Sequence, residues 1–367
     1  MTTRRHFIRT TCLLGTGAAL SNPSAQGNIP TGQRMPDEAE PHARTWMAWG
    51  ASEAIWGRKL FPEVRRNLAT LTNTIARYES VSLLVRPNEL ALAKTLVAGN
   101  VTLVPCPLND LWVRDTGPTF VHQASGQLGA VDFNFNGWGR KQAHEADKHV
   151  ARTVAQTAGV ARLSTPLVME GGCVEVDGHG TAILTESCVL NANRNPGMSK
   201  AQFEDLLMPL LGLNRIIWLP GIKGKDITDG HTDFYARFAS SGVVLAGLEP
   251  DPKSYEHELT LRHLDILRSA RDAQGRKLNV LTLQAPSSVR PAFETEEFAA
   301  GYIGFYVCNG ALMMQGFGDA DADQAARLTL AEAFPGRRIE QLNMDGIAAG
   351  GGSIHCATQQ QPVEYAA

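Results

Sequence analysis

The spacing of its prominent polar residues constrains the fold of this 367-residue chain more than any other feature. Asp115, Glu170, His231 and Cys356 are separated by 55, 61 and 125 residues, so the last interval is about twice the others. Between His231 and Cys356 there is room for one more unit, which lacks a prominent polar residue, and the strand-like stretch 301–317 lies there. The spacing therefore predicts five repeated units of about 60 residues around a common centre.

Helix-like and strand-like patterns alternate along the chain, which predicts an α/β or α+β class. Apolar residues at helical spacing indicate an amphipathic helix over residues 60–75 and another after Ser199, a suitable N-cap. Further helical patterns cover residues 255–270 and 322–334. Strand character is found over residues 81–85, 101–105, 181–184, 243–246 and 311–315. A hydrophobic content of 43% with 19% charged residues is that of a globular chain with a large core.

The first 25 residues are predicted to be an export signal. Arg4 and Arg5 precede a short apolar run, and the small residues Ser24 and Ala25 follow it. This order is typical of a signal peptide, and the paired arginines indicate the twin-arginine type. The alternative is a frayed N-terminal helix. The apolar run is shorter than the ~18 residues that span a bilayer, so we expect a periplasmic protein without a membrane anchor; the alternative location is the cytoplasm.

The rest of the chain is predicted to form a polar linker over residues 26–33 and a single domain over residues 34–367. Removal of the signal removes three arginines and no acid, which takes the formal net charge from −3 to −6. An acidic chain without a run of Lys and Arg is not expected to bind nucleic acid. Its charge instead suits a small cationic partner. The sequence leaves open whether the chain forms a homo-oligomer.

Five cysteines remain after the signal, and none of them forms a C-x-x-C pair. An odd count argues against a disulfide framework and leaves at least one free thiol. Cys356 follows three consecutive glycines, which let a ligand approach the backbone closely, and it is the candidate nucleophile. The alternative for any lone cysteine is an inert buried thiol. That interpretation is kept for the cysteines in or next to apolar runs, namely Cys106, Cys173, Cys188 and Cys308.

His231 is the candidate general base for Cys356. His355 and Cys356 would point to opposite faces of an extended chain, so His355 is a poor base for its neighbour. His231 and Asp233 follow an Asp-Gly turn, and on a strand their side chains would share a face and enter one cavity. A surface histidine beside an acid is the alternative. The H-x-D pattern lacks a third ligand at a recognisable spacing, so neither a metal nor another cofactor is predicted.

Two further acidic segments complete the candidate site. Residues 109–118 place Asp110, Trp112 and Asp115 before a Gly-Pro turn, and Glu170 ends an apolar strand before a Gly pair. Taken alone, each acid would most simply be solvated or cap a turn. Combined with a thiol and a histidine, the acids indicate a site for a cationic group.

Seven motifs in chain order resemble those of the agmatine deiminase family of guanidine-modifying enzymes, the penteins. They are R-M-P-D-E-A-E-P-H-A-R-T-W-M-A-W from Arg34, N-D-L-W-V-R-D-T-G-P from Asn109, V-D-F-N-F-N-G-W-G from Val131, M-E-G-G from Met169, N-R-N-P from Asn193, G-H-T-D from Gly230 and G-G-G-S-I-H-C-A-T-Q-Q-Q-P from Gly350. The resemblance implies a five-bladed pseudo-fivefold α/β propeller with a central active site. Residues 34–367 would then be the catalytic domain.

The resemblance also implies roles for the candidate residues. Cys356 would be the nucleophile and His231 the general acid and base, while Asp115, Glu170 and Asp233 would hold the guanidinium group. Orientation of His231 is the alternative role for Glu170. Trp112 and Trp138 would pack on the substrate, and Asp110, Gly351 and Gly352 are further candidates for substrate contact.

The reaction expected from the resemblance is the hydrolysis of agmatine to N-carbamoylputrescine and ammonia through a thiouronium adduct. Free arginine or peptidyl-arginine is the alternative substrate, because Ser353 and residues 301–305 depart from the pattern of cytoplasmic agmatine deiminases. An arginine carboxylate would need a basic partner, for which the candidates are Arg114, Arg140, Arg194 and Arg237. A periplasmic guanidinium-binding protein is the alternative of another class. Transfer of the amidino group to an amine is the third.

Overall fold

The computed structural model describes residues 32–365 of the chain. The predicted export signal, and residues 26–31 of the predicted linker, lie outside the described residues. The folded unit begins at Gly32. Gln33 already packs on it, because its side-chain amide donates to the carbonyl of Leu210 over 2.5 Å. None of the described helices combines the length and the apolar character that crossing a membrane requires.

The described residues form five small sheets arranged as consecutive blades. Four blades have three strands each, in the orders β4-β5-β6, β7-β8-β9, β10-β11-β12 and β13-β14-β15, and one has the order β16-β1-β2-β3. The strands are β1 (His42–Trp49), β2 (Val81–Val85), β3 (Thr102–Pro105), β4 (Thr119–His122), β5 (Leu128–Asp132), β6 (Ala161–Ser164), β7 (Val174–Val176), β8 (Thr181–Thr185), β9 (Arg215–Leu219), β10 (Ala236–Ser240), β11 (Val243–Leu248), β12 (Asn279–Gln284), β13 (Tyr306–Cys308), β14 (Ala311–Gln315), β15 (Arg338–Leu342) and β16 (Gln359–Pro362).

Every blade repeats the same pairing. The first strand pairs antiparallel with the second, and the second pairs parallel with the third. Parallel neighbours need a crossover, so a helix connects the second and third strands. In the four-stranded blade, β16 takes the place of the first strand and pairs antiparallel with β1. The last strand in the sequence therefore closes the ring on the first, and the predicted five units of an α/β propeller are confirmed.

The crossovers contain the longer helices, which bury one face against the blades. They are α1 (Glu53–Ile75), α5 (Val150–Ala158), α7 (Lys200–Leu211), α8 (His257–Ser269) and α9 (Ala320–Ala333); shorter helices are α2 (Leu90–Leu96), α3 (Val113–Thr116), α4 (Gly137–Arg140), α6 (Glu186–Val189) and α10 (Asp345–Ala348). At the start of α7, Ser199 and Gln202 form a capping box, as the sequence pattern predicts. Helices are therefore found in each of the four predicted ranges.

The apolar core is divided among five clusters, each between two neighbouring blades. Successive side chains of a strand point to opposite faces, so the middle strand of a blade contributes to both adjoining clusters. In β5, Ala130 packs towards β1 and β2, whereas Val131 packs towards β7 and β8. Because of this alternation, each blade packs against both of its neighbours and the blades form a ring. The segments that precede the first strands meet at the centre of that ring.

Candidate active site

The five predicted catalytic residues lie in equivalent places, in the segment that leads into the first strand of a blade. Asp115 precedes β4 and Glu170 precedes β7. His231 and Asp233 precede β10, and Cys356 precedes β16. The ring brings these four segments together, so residues far apart in sequence become neighbours. The rough 60-residue period in the sequence is the spacing of the blades.

A cleft of about 360 Å³ opens onto this centre. Its wall includes Asp115, His231, Cys356, Trp112, Trp138, Gly351 and Gly352 among the predicted residues, together with Gln142, Ile227, Thr228, Phe234 and Gly350. Asp233 and Glu170 lie behind this wall and are at most 2% exposed. No arginine or lysine of residues 32–365 lines the cleft.

The thiol of Cys356 lies against a carboxylate and a hydroxyl. Its Sγ is 3.7 Å from Oδ2 of Asp233 and 3.3 Å from Oγ of Ser353. Burial, followed by the negative charges of Asp233 and Asp115, raises the pKa of Cys356 well above that of a free cysteine. The thiol is therefore protonated near neutral pH until a cation is brought to these acids.

His231 is completely buried, and its two ring nitrogens are in different environments. Nε2 is 3.2 Å from Oε2 of Glu170. Nδ1 has no hydrogen-bond partner within residues 32–365, and it is 3.8 Å from Asp115 Oδ1 and 3.9 Å from Asp233 Oδ1. Burial disfavours the imidazolium, but the charge of Asp115 and the hydrogen bond to Glu170 outweigh burial and raise the pKa of His231 well above its usual value. His231 is thus an imidazolium whose Nδ1 proton is available for transfer.

Glu170 is held as a carboxylate by a buried arginine. Arg194 Nε donates to both of its oxygens over 2.9 Å, and Cys173 Sγ donates to Oε2 over 3.1 Å. Burial alone would raise the pKa of Glu170, but the hydrogen bond from His231 and the charge of Arg194 lower it to about 2. Glu170 therefore anchors the imidazolium and fixes which of its nitrogens is left free.

Asp115 accepts two hydrogen bonds at the edge of the cleft. The indole of Trp138 donates to Oδ2 over 2.9 Å, and the amide of Gly172 donates to Oδ1 over 3.1 Å. A Cβ at position 172 would be 2.6 Å from His231 Nδ1, so only glycine lets the backbone reach this acid. Burial raises the pKa of Asp115, although the charge of His231 opposes that effect.

Asp233 is held by His355, the residue next to Cys356. His355 Nδ1 is 2.7 Å from Asp233 Oδ2, and His355 Nε2 is 2.9 Å from Oε2 of Glu38. Burial alone would raise the pKa of Asp233, but the hydrogen bond and charge of His355 lower it. Asp233 Oδ1 has no hydrogen-bond partner within residues 32–365.

Two expectations about the local backbone are wrong. His231 and Asp233 do not lie on a strand, because the left-handed turn at Asp229 and Gly230 leads into a 3₁₀ turn over Thr232–Phe234. Asp233 still approaches His231 because the turn is packed against the neighbouring blade. Residues 354–357 are also a turn and not extended, so His355 points to Asp233 and Glu38.

Asp110, like Asp233, is a predicted substrate contact that does not line the cleft. Its carboxylate accepts from the indoles of Trp56 and Trp112, over 2.7 and 3.1 Å, and from Gln142 over 3.1 Å. It therefore positions two residues of the cleft wall. A Cβ added at Gly352 would lie 2.2 Å from the nearest atom of the Trp112 indole, so only glycine lets the backbone pack this close to the ring.

Cys173 and Cys188 are buried, as the sequence predicts, and they lie against a residue of the candidate site. Their sulfur atoms are 3.1 Å apart, and both lie against Oε2 of Glu170. Cys173 directly precedes β7, and Cys188 lies in α6, which follows β8. Glu170, Cys173, Cys188 and His231 bring their ligand atoms within 4.8 Å of one another, a set of donors that the sequence pattern does not reveal.

A propeller of five blades with a thiol, an imidazolium and three carboxylates at its centre defines a pentein of the guanidine-modifying class. The chain belongs to the Porphyromonas-type peptidyl-arginine deiminase family, whose profile matches residues 34–362. It is 41% identical to a candidate agmatine deiminase of Streptomyces coelicolor, over 90% of this chain and 98% of the relative. It is 36% identical to the agmatine deiminase of Pseudomonas aeruginosa, over 94% of this chain and 99% of that protein.

Solved structures agree with this assignment. The agmatine deiminase of Enterococcus faecalis superimposes with a TM-score of 0.85 at 29% identity, over 91% of this chain and 97% of that chain. The likeness extends along almost the full length of both proteins, so it concerns the whole propeller and not a shared blade.

Proposed function

We propose that the protein is a hydrolytic agmatine deiminase, which converts agmatine and water to N-carbamoylputrescine and ammonia. The observation that carries the proposal is the convergence of Cys356, His231 and three carboxylates at one buried cleft. A protein that only binds guanidinium compounds needs the acids but neither the thiol nor the proton donor. The naming of the Streptomyces, Pseudomonas and Enterococcus relatives supports agmatine as the substrate.

The guanidinium group would be held by Asp115 and Asp233. A guanidinium presents a planar fork of N–H donors, which paired carboxylates satisfy. Asp233 Oδ1 is a buried acceptor without a partner in the described part of the chain, and its charge is maintained by His355. The substrate's cation also offsets the two negative charges that raise the pKa of Cys356. Substrate binding would therefore generate the thiolate that attacks it.

Carbon–sulfur bond formation would be followed by loss of ammonia. The thiolate of Cys356 adds to the guanidinium carbon, and His231 gives its Nδ1 proton to the departing amino group. The carbon–nitrogen bond then breaks, ammonia leaves and a cationic thiouronium adduct remains. Glu170 holds Nε2 throughout, so the ring keeps Nδ1 directed to the reacting atoms.

Hydrolysis would reverse the roles of the same groups. Neutral His231 takes a proton from water, whose oxygen adds to the carbon of the adduct. Collapse of this intermediate breaks the carbon–sulfur bond and releases the ureido product and the thiolate of Cys356. The thiolate takes up the second proton of the water from the hydroxyl group of the intermediate. The ammonia released earlier takes up, from solvent, the proton that the thiol lost on substrate binding, so the atoms and charges balance.

The cleft wall favours agmatine over arginine. The carboxylate of arginine needs a basic partner, and no Lys or Arg in the described part of the chain lines the cleft. Three of the four candidate arginines are buried in ion pairs: Arg114 with Glu38, Arg194 with Glu170 and Asp229, and Arg237 with Glu38 and Glu175. Arg140, the fourth, does not line the cleft.

A ureido-product assay on agmatine, free arginine and an arginine-containing peptide tests the proposal. We expect turnover of agmatine without added metal, and a kcat/KM for the other two lower by a factor of about 100 or more, since an unpaired buried charge costs several kcal/mol. Turnover of arginine equal to that of agmatine would contradict the substrate assignment. Tight binding of agmatine without any product would instead support a binding protein.

A further inference from the structure

A compact set of four donors lies directly behind the general acid. Oε2 of Glu170 is its centre, at 3.1 Å from Cys173 Sγ, 3.7 Å from Cys188 Sγ and 3.2 Å from His231 Nε2. The two sulfur atoms are 3.1 Å apart. Cys173, Cys188, Glu170 and His231 are all completely buried.

The chemistry of this set matches that of a borderline-soft cation. Zinc takes thiolate, imidazole and carboxylate ligands in a tetrahedron, in which neighbouring ligand atoms are about 3.3 to 3.8 Å apart. The four atoms here lie within 4.8 Å of one another, so a tetrahedral ion would require shifts of well under ~1 Å at most of them. Calcium and magnesium favour oxygen ligands and would not select two sulfurs.

The surroundings also supply an orienting contact and an approach. Arg194 Nε donates to both oxygens of Glu170, so a metal bound at Oε2 would leave the arginine on Oε1. Outer contacts of this kind orient metal ligands. His231 also lines the cleft, so an ion from solvent would first meet a ligand of the set at the cleft wall.

We propose that Glu170, Cys173, Cys188 and His231 form an inhibitory site for zinc or a similar thiophilic divalent cation. Binding would displace the two thiol protons and the Nε2 proton of His231 to solvent. The inhibition rests on the proposed function, since it requires that His231 act as an acid. A metal bound at Nε2 would replace the imidazolium by a neutral, metal-bound imidazole. Its Nδ1 proton is much less acidic than that of an imidazolium, so His231 could not protonate the departing amino group.

Cobalt(II) tests occupancy without reference to activity, because thiolate ligands give it a charge-transfer absorption band. The full-length, reduced protein is titrated with cobalt under anaerobic conditions, and zinc is then added to displace it. We expect one cobalt per chain, with a band intensity typical of two thiolates. The Cys356→Ser variant should keep the band, and Cys173→Ser should lose about half of it. Cys106→Ser, which removes a buried thiol elsewhere, is the matched control and should leave it unchanged.

The activity arm uses the same variants. Zinc should inhibit agmatine turnover with the midpoint at which it displaces cobalt, chelation should restore it, and Cys173→Ser should raise the midpoint by ~10-fold or more. Serine keeps a donor for Glu170 but is a far weaker zinc ligand. If agmatine is not turned over, the proposed function fails while the cobalt titration still reports the site.

Three outcomes would overturn the site. The first is an absence of cobalt binding. The second is a band that is lost in Cys356→Ser and kept in Cys173→Ser, which would place the metal on the nucleophile. The third is a loss of two titratable thiols on exposure to a mild disulfide oxidant with no cobalt bound by the reduced protein, which would show a disulfide-forming pair. Should Cys173→Ser fail to fold, the wild-type and Cys356→Ser titrations decide alone.

Discussion

His355 Nδ1 and Asp233 Oδ2 are 2.7 Å apart, so the residue beside the proposed nucleophile, Cys356, holds the acid that contacts the Cys356 thiol. The same oxygen is 3.7 Å from Cys356 Sγ. His355 therefore keeps the Asp233 carboxylate charged, and the charge of Asp233 suppresses ionisation of the Cys356 thiol. This arrangement makes the reactivity of the thiol depend on what cation reaches Asp233.

Replacement of Asp233 should separate thiol reactivity from turnover. Asp233→Asn removes the largest charge effect that raises the pKa of Cys356, so the thiolate should form at lower pH. Alkylation by iodoacetamide at neutral pH should accelerate on the order of 10-fold, the effect of about one pKa unit, while turnover of agmatine is lost. The pH profile of alkylation measures this. Asp110→Asn, a buried acid that does not contact the thiol, is the control, and slower alkylation of Asp233→Asn at every pH would contradict the argument.

Removal of the nucleophile should abolish the reaction. Cys356→Ser should lower kcat by a factor of about 10⁴ or more with an unchanged fold, because a serine hydroxyl beside these acids does not ionise. Circular dichroism and the ureido assay check both parts. Cys308→Ser removes a thiol that is buried outside the cleft and should keep most of the activity. Equal losses in the two variants would show that the wrong thiol has been assigned.

Arg194 should matter for stability as well as catalysis. Its side chain is completely buried and pairs with Glu170 and Asp229, so Arg194→Gln removes a buried cation from both carboxylates and leaves only His231 on Glu170 and Lys141 on Asp229. The free energy of unfolding at pH 7 should fall by about 3 to 5 kcal/mol, measured by urea titration. Arg162→Gln, which breaks a longer and partly exposed pair with Asp132, is the control and should cost under about 1 kcal/mol.

The pH dependence of this effect follows from the lowered pKa of Glu170. A carboxylate with a pKa of about 2 in the folded protein contributes stability above its usual value of 4.5 and loses that contribution as the pH falls towards 2. The difference between wild type and Arg194→Gln should therefore shrink on going from pH 7 to about pH 4 and below. A difference that grows in acid would show that Glu170 is not the group that Arg194 stabilises.

The glycine at position 352 should be required for the shape of the cleft. Gly352→Ala places a methyl group against the ring of Trp112, so the indole or the loop must move. We expect kcat/KM to fall by a factor of about 10 to 100, since misplacement by about 1 Å costs that much. Gly301→Ala is the matched control, because it has a negative φ and open space around it. Similar kinetics for the two variants would show that the contact between Gly352 and Trp112 does not determine the shape of the cleft.

Location is a separate proposal: we propose export to the periplasm by the twin-arginine pathway. Replacing Arg4 and Arg5 by Lys should leave a full-length precursor in the cytoplasm, since the pathway reads the arginine pair and not merely its charge. Fractionation followed by intact-mass measurement checks this. Recovery of the uncleaved wild-type chain from the cytosol would favour the cytoplasmic alternative.

The sequence predicts the fold well because the signals that define it are local. Residues 81–85 and 311–315 are strands within the predicted bounds, and Ser199 caps its helix through contacts made three residues away. The spacing of the blades can also be predicted from the sequence, because each polar residue at the centre lies in the segment before the first strand of its blade.

The contacts inside the site are harder to predict from the sequence, because they depend on strand register and on packing between blades. Cys173 and Cys188 meet only because β7 and β8 pair antiparallel, which brings the residue before one strand close to the helix after the other. The 3₁₀ turn after His231 is held by Thr232, whose hydroxyl donates to the carbonyl of Cys173 in the next blade. No local pattern around His231 carries that information.

Closure of the ring by β16 has a consequence for the order of events in synthesis. The nucleophile immediately precedes the strand that pairs with β1, and that strand leaves the ribosome after all the others. A nascent chain can thus complete four blades and their carboxylates while its thiol is still elsewhere. We therefore expect Cys356 to reach these carboxylates only when β16 pairs with β1, and fraying of β16 to displace the thiol from them while the other blades keep their own strand pairing.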